Sequence, residues 1–132
     1  MKRPWKLLLA VAVAVLEAQA SGCSDGGPPQ PGFVYVELQT PNKDDAAVRL
    51  RIIGEGMSDL EAVSGYQLYS RTRASADSIE AVVVGELTGG DLLKFIVPDV
   101  KGRYAASLVE VASTTNALRA PLVGYSVQLR GR

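Results

Sequence analysis

The sequence contains 132 residues, with 14 basic and 14 acidic side chains, one cysteine and no histidine. The missing histidine excludes a His-based catalytic triad and a His-containing zinc site, and a single cysteine excludes a cysteine metal cluster. Charges of both signs are interspersed, whereas a nucleic-acid-binding protein carries a basic patch or a high pI. We therefore expect no enzymatic activity, no cofactor, no metal and no nucleic-acid partner.

The first 22 residues predict a signal peptide. Lys2, Arg3 and Lys6 precede an apolar run at 7–16, in the order typical of an export signal. As a helix this run spans about 15 Å, roughly half of a hydrocarbon core of about 30 Å, so it is too short to be a membrane anchor. Its removal takes three basic and one acidic side chain from the 14 of each sign, which leaves a net charge near −2.

The only cysteine, Cys23, follows the small residues "ASG" at 20–22. This stretch resembles the lipobox of bacterial lipoproteins, in which the cysteine is linked to diacylglycerol before cleavage. The resemblance implies that Cys23 is the lipid attachment site and that the protein is held on a membrane of the bacterial cell envelope. A lone cysteine in an exported chain cannot form an internal disulfide, which also favours modification.

Plain secretion is the alternative. Ala20 stands where the lipobox favours leucine, and Glu17 adds a charge where the lipobox disfavours one. The tripeptide "AQA" at 18–20 also fits the small-residue rule of a signal-peptidase site. Under this interpretation Cys23 is a free thiol and the protein is periplasmic or secreted.

A Gly/Pro-rich segment follows the cysteine. Residues 23–32 include "SDGGPPQPG", which is polar and has no apolar periodicity, as expected of a flexible linker. In polyproline-like form, at about 3.1 Å per residue, the eight residues 24–31 hold the first strand roughly 25 Å from Cys23. We expect this linker to be extended or disordered, and the folded domain to occupy residues 33–132.

The domain begins with two strands that alternate apolar and polar residues. Both "FVYVELQ" at 33–39 and "AVRLRII" at 47–53 show the period of two that is typical of strands with one buried face. Between them, "TPNKDD" at 40–45 predicts a loop or a hairpin connection. Next, "MSDLEAV" at 57–63 has Ser58 and Glu61 at capping-box spacing but is short, which predicts a loop with at most one or two helical turns.

Five further strands complete the prediction. They lie at 65–71, 78–87, 91–99, 103–113 and 124–130. Seven short strands without crossover helices favour an all-β fold: a single antiparallel, two-sheet, immunoglobulin-like sandwich. Glycines at 89 and 90 should form a turn with positive φ, and Pro98 should end its strand. Alternation predicts these buried residues: Val36, Leu50, Leu68, Phe95, Leu108 and Val127.

The strand sequences resemble a known group of modules. The segments "AVRLRIIG", "AVSGYQLYSR", "AVVVGELTGGDLLKFIVPD" and "YAASLVEVASTTNA" together are similar to cohesin-type and related immunoglobulin-like modules of bacterial surface proteins. The resemblance implies a noncatalytic module that binds protein or glycan at the envelope. The whole chain also resembles short lipoproteins of environmental bacteria, which implies a location but no activity. A purely structural envelope lipoprotein without a ligand is the alternative function.

Two groups of residues are candidates for a site. Tyr35 and Tyr69 lie on the less apolar faces of their strands, where a tyrosine ring offers apolar contact to a ligand and a polar handle. Asp44 and Asp45, beside Asn42, carry the oxygen ligands that Ca²⁺ prefers, but their spacing matches no EF-hand. Most tyrosines of strands pack in the core or at its edge, so Tyr35 and Tyr69 are the ligand-binding candidates only if the protein has a ligand surface. We expect the adjacent acids to be solvated caps of a turn.

Overall fold

The computed structural model describes residues 27–73 and 77–132. The predicted signal peptide at 1–22 and the predicted lipid site Cys23 lie outside these residues. The described residues form eight strands and no helix. The strands are β1 (Gly32–Gln39), β2 (Asp45–Gly54), β3 (Ser58–Ala62), β4 (Gln67–Thr72), β5 (Ser78–Leu87), β6 (Gly90–Val97), β7 (Tyr104–Ser113) and β8 (Ser126–Gly131).

The strands form two antiparallel sheets of four strands each. One sheet has the order β3-β6-β1-β8 and the other has the order β4-β5-β2-β7. One face of each sheet contributes to a shared apolar core, and the other face is turned to solvent. The prediction of an all-β, antiparallel, two-sheet sandwich is confirmed.

The core lies between the sheets and follows the alternation of the sequence. Val36, Leu50 and Phe95 are fully buried, as predicted. The other three predicted core residues, Leu68, Leu108 and Val127, are half-buried and pack against the same cluster. These three belong to β4, β7 and β8, which are edge strands, so fewer neighbours cover them.

The prediction for residues 57–63 was wrong, because this segment contains a strand. β3 pairs with β6, with Ser58 opposite Ile96 and Ala62 opposite Leu93. The pairing shifts register near Asp59, whose φ is 51°. A helix this short forms too few hydrogen bonds to be stable by itself. As a strand, the same segment can form backbone hydrogen bonds with the edge of β6.

The connections between β1 and β2 and between β5 and β6 pass from one sheet to the other. The predicted loop at 40–45 is therefore a loop over 40–44 and not a hairpin, since Asp45 already begins β2. Gly89 and Gly90 have φ values of 106° and 88°, which confirms the predicted turn with positive φ. β6 ends at Val97, directly before Pro98, as expected of a residue that cannot donate to a ladder.

The fold begins at Gly32, and a residue of the preceding segment also makes contacts with it. Residues 27–31 are exposed, yet the Gln30 carbonyl accepts a hydrogen bond of 2.8 Å from the Val100 N–H. The Gln30 N–H donates to Asp99 Oδ1 at 3.3 Å. Donation from the Lys101 N–H, and then from the Gln30 N–H, holds the pKa of Asp99 below its ordinary value although burial opposes this. Gln30, just before β1, is thus hydrogen-bonded to the loop that follows β6.

Candidate binding face

The outer surface of the β4-β5-β2-β7 sheet is rich in arginine, and we call it the arginine face. Its position follows from strand alternation, because the apolar residues of β2 and β5 point inward and their polar neighbours point outward. The register places Arg71 and Arg51 on either side of Glu80, and Tyr69 and Arg49 on either side of Val82. The arginine face comprises Arg49, Arg51, Tyr69, Arg71, Arg73, Glu80, Val82 and Glu110.

Glu80 lies at the centre of a cluster of three arginines. Its Oε2 accepts hydrogen bonds from Arg71 Nε at 2.8 Å and Arg71 Nη2 at 2.5 Å. Its Oε1 accepts from Arg73 Nη2 at 2.8 Å and, more weakly, from Arg51 Nη2 at 3.5 Å. The bonds from Arg71 hold the pKa of Glu80 below its ordinary value; burial opposes this, and the charges of Arg71 and Arg73 add to it. Glu80 is therefore a fixed carboxylate at neutral pH.

The charges of the arginine face do not balance. One carboxylate serves three guanidinium groups at Glu80, and Arg49 forms a separate pair with Glu110 at 3.1 Å. Four arginines and two glutamates leave an excess of two positive charges on this surface. Since residues 23–132 carry a net charge near −2, the arginine face is positive on a domain that is negative as a whole.

An open groove of about 300 Å³ crosses the arginine face, lined by Arg49, Tyr69, Ser70, Arg71, Glu80 and Val82. The Tyr69 side of the groove is well exposed, since 61 % of this residue is accessible to solvent. The groove thus combines an aromatic ring with guanidinium donors, groups that suit a ligand with both an apolar part and an anionic part.

The structure does not bring the two candidate tyrosines together. Tyr35 lies on the outer face of the other sheet, where the guanidinium carbons of Arg130 and Arg132 each lie 5.5 Å from its ring centroid. Arg130 is also paired with Asp91 at 2.7 Å. The Tyr35 ring is therefore half-buried under cationic side chains, whereas Tyr69 is open.

The acidic loop at 40–45 forms a network within the protein. Asp45 is fully buried and accepts hydrogen bonds from Thr40 Oγ1 at 2.5 Å, Tyr125 OH at 2.9 Å and Arg119 Nε at 3.2 Å. Arg119 also pairs with Asp44 at 2.5 Å. Asp45 is thus not the solvated turn cap that its sequence neighbourhood predicted. The carboxylates face a guanidinium, and among the described residues no cluster of three His, Cys, Asp or Glu side chains has the arrangement of a metal site.

Arg119 stabilises the network around Asp45 because its positive charge lies between two carboxylates. Burial acts to lower the pKa of its guanidinium, but the hydrogen bond to Asp45 and the charge of Asp44 raise it above its usual value. Asn42 Nδ2 donates to Tyr125 OH at 2.7 Å, which completes the link. The network joins the β1–β2 connection to the segment before β8, across about 80 residues of sequence.

Sequence reasoning missed Glu80 as a functional candidate. The alternation in 47–53 placed Arg51 on an exposed face, but nothing in the sequence shows that β5 lies between β2 and β4. Only that strand order brings Arg51 and Arg71 to opposite sides of one carboxylate.

Comparison with protein family models, with curated proteins and with solved structures found no match. In the described part of the chain, no helix is long and apolar enough to cross a membrane.

Proposed function

We propose that this protein is an envelope-anchored lipoprotein whose β-sandwich is a noncatalytic module for binding an envelope protein or glycan. The observation that carries the proposal is the open groove of the arginine face, where exposed Tyr69 lies beside an excess of positive charge. Tyrosine and arginine are enriched among the residues that contribute most of the binding energy at protein interfaces.

The chemistry of the groove favours binding over catalysis. Its one carboxylate, Glu80, is engaged by three arginines and so lacks the free position that a general base needs. The other polar groups of the groove are guanidiniums, a tyrosine hydroxyl and Ser70. With no histidine in the sequence, Ser70 has no imidazole base to activate it.

The anchor rests on the sequence around Cys23. The lipobox-like "ASG" before Cys23 and the Gly/Pro-rich segment after it support lipid attachment in the bacterial envelope. The bonds of Gln30 to the loop after β6 support a tether that ends against the domain. In this proposal the immunoglobulin-like module is presented from the membrane by residues 23–29.

A structural envelope lipoprotein without a ligand is the second candidate. The ion pairs that cover both outer faces favour it, because Arg49–Glu110, Arg71–Glu80 and Arg130–Asp91 give the domain a well-solvated surface. On this alternative, Tyr69 is an ordinary exposed side chain of an edge strand.

Binding is tested with the purified full chain in detergent and two isolated envelope fractions, cell-wall polysaccharide and membrane protein. We expect one fraction to retain the protein in a sedimentation assay and Tyr69→Ala to lose most of that retention. Tyr35→Ala, on the opposite face, is the matched control and should bind as the parent does. Retention by neither fraction favours the structural alternative, and equal retention of all three proteins would show binding at a surface other than the arginine face.

Anchoring is tested by metabolic labelling with a fatty-acid analogue. The parent protein should be labelled and membrane-bound, and Cys23→Ala should be an unlabelled precursor or a soluble species. Unlabelled parent protein cleaved before Ser21 would instead establish plain secretion.

A further inference from the structure

The edge strand β4 presents unpaired backbone groups beside the arginine face. The Arg73 N–H donates to the Ser78 carbonyl at 2.9 Å, in line with the register of β4 and β5. Because hydrogen-bonded residues alternate along an antiparallel pair, the N–H and C=O groups of Leu68, Ser70 and Thr72 point away from β5. Within the described residues, no other backbone group pairs with them.

The other three edges of the sandwich are less open. β3 has five residues and an irregular register near Asp59. The segment after β7 folds back on it, with the Arg119 N–H donating to the Val111 carbonyl and a bridge between Ala112 and Leu118. β8 lies against β7 where the two sheets meet. Shortening, irregularity, covering and charged side chains are means by which proteins block strand addition. The edge of β4 has a regular register and touches β3 only slightly, and its main protection is the charge of Arg71 and Arg73.

The positive charge along the β4 edge favours an acidic partner. The side chains of Arg71 and Arg73 are 71 % and 46 % exposed, and both share the carboxylate of Glu80 with Arg51. Residues two apart on a strand lie about 7 Å apart on the same face. Tyr69, Arg71 and Arg73 therefore form a row of one aromatic and two incompletely neutralised cations along the edge.

We propose that β4 receives an extended acidic segment of an envelope protein, which adds to the sheet as a fifth strand. The backbone groups of Leu68, Ser70 and Thr72 would bind its backbone, and alternate carboxylates would pair with Arg71 and Arg73. An apolar side chain of the segment would cover Tyr69. This inference rests on the proposed binding function and names the class of its partner.

The same observations disfavour two other occupants. A second copy of this chain would bring the β4 sequence "QLYSRT", which contains arginine and no acidic residue. An acidic polysaccharide could meet the arginines, but it has no regular backbone with which to satisfy the alternating groups of the edge. An added peptide strand can use both the open backbone groups of β4 and the arginines beside them. In strand addition, backbone hydrogen bonds supply affinity and alternate side chains supply specificity.

The probe is a fluorescent nine-residue peptide with glutamate at alternate positions, threonine between them and one terminal valine. A matched peptide has lysine in place of each glutamate. We expect the full chain to bind the acidic peptide at least about tenfold more tightly in an anisotropy titration, a difference of about 1.4 kcal/mol. The preference should weaken between about 0.1 M and about 1 M salt, as the Debye length falls from about 10 Å to about 3 Å.

Ser70→Pro tests the backbone contribution. Its N–H points outward, so proline removes a donor from the edge and leaves the β4–β5 ladder intact. We expect the acidic peptide to bind Ser70→Pro about tenfold more weakly than Ser70→Ala, which loses the same hydroxyl but keeps the N–H. Hydrogen exchange on the parent protein gives a second measurement that needs no variant: the amides of Leu68, Ser70 and Thr72 should exchange more slowly with peptide bound.

Three outcomes overturn the inference. Peptide binding without protection of these amides, and with Ser70→Pro equal to Ser70→Ala, would show a side-chain contact in place of an added strand. Binding of polygalacturonate but not of the peptide would show a glycan ligand; in both cases the proposed binding function stands. If neither probe binds and the envelope fractions also fail to retain the protein, both proposals fail, and Arg71 and Arg73 serve only as guards of an open edge.

Discussion

The two outer faces of the sandwich each carry a tyrosine and several ion pairs, but they differ in how their charges are balanced. On the face of the β3-β6-β1-β8 sheet, Lys94 pairs with Glu61, and Arg130 pairs with Asp91 and Glu37. On the arginine face, three cations converge on one buried carboxylate. The first arrangement neutralises charge locally and covers its tyrosine, whereas the second leaves positive charge beside an open tyrosine. The difference comes both from the charged residues that each face contains and from the strand order that brings them together.

The largest expected effect tests whether the two faces are opposite sides of one core. Phe95 is fully buried and its ring packs edge-on against Tyr104 at 6.1 Å. Phe95→Ala should lower the free energy of unfolding by about 3 to 5 kcal/mol, because it removes apolar contacts and leaves a cavity. Arg51→Ala, on the arginine face, should cost far less in the same denaturant titration. Equal losses would mean that the assignment of inner and outer faces is wrong.

The next effect tests the arginine cluster. Glu80→Gln removes the negative charge and leaves three neighbouring guanidinium groups to repel one another, so the melting temperature should fall. Glu110→Gln removes the partner of one half-exposed arginine and should change the melting temperature only slightly. If the two substitutions have the same effect in thermal unfolding, the cluster is no more than a set of surface ion pairs.

Acid titration tests the lowered pKa of Glu80 at the centre of the arginine cluster. The pKa of Glu80 is lowered on folding by Arg71, so its stabilising contribution is complete at neutral pH, above the unfolded pKa. The contribution is lost as the pH falls below about 4.3, the ordinary glutamate value, and through the lower folded pKa. Unfolding free energies measured from pH 7 to pH 2 should therefore decline more steeply for the parent than for Glu80→Gln. If the unfolding free energies of the two proteins fall in parallel with pH, the pKa of Glu80 is not lowered on folding.

The smallest effect concerns the tether. Deletion of a linker that makes no contact with the domain would leave the melting temperature unchanged, but deletion of 24–31 also removes Gln30. Because Gln30 bonds to Val100 and Asp99, we now expect no change for deletion of 24–29 and a decrease for deletion of 24–31. Equal melting temperatures for the two deletions would show that these bonds add nothing to stability.

The sequence predicts the inner faces better than the outer ones. Burial of Val36, Leu50 and Phe95 follows from alternation alone, because a period of two fixes one side of a strand whatever its neighbours are. β3 was missed because a capping-box spacing is a local signal, whereas its pairing with β6 depends on residues more than 30 positions away. The three-arginine cluster and the Asp45–Tyr125 bond depend on strand order and on long-range contacts, which one sequence does not specify.

β1 is an inner strand, with antiparallel partners β6 and β8 along both sides. Its first residues are also fixed at the end of the ladder, since Phe33 and Arg132 exchange backbone hydrogen bonds of 2.8 Å in both directions. A pull on the N-terminus along the axis of β1, with the rest of the sheet held, would load both ladders in shear, so that many hydrogen bonds must break together. A pull that peels an edge strand such as β4 breaks them one after another. β1 is thus secured by two ladders, whereas the edge strand β4 is secured by one.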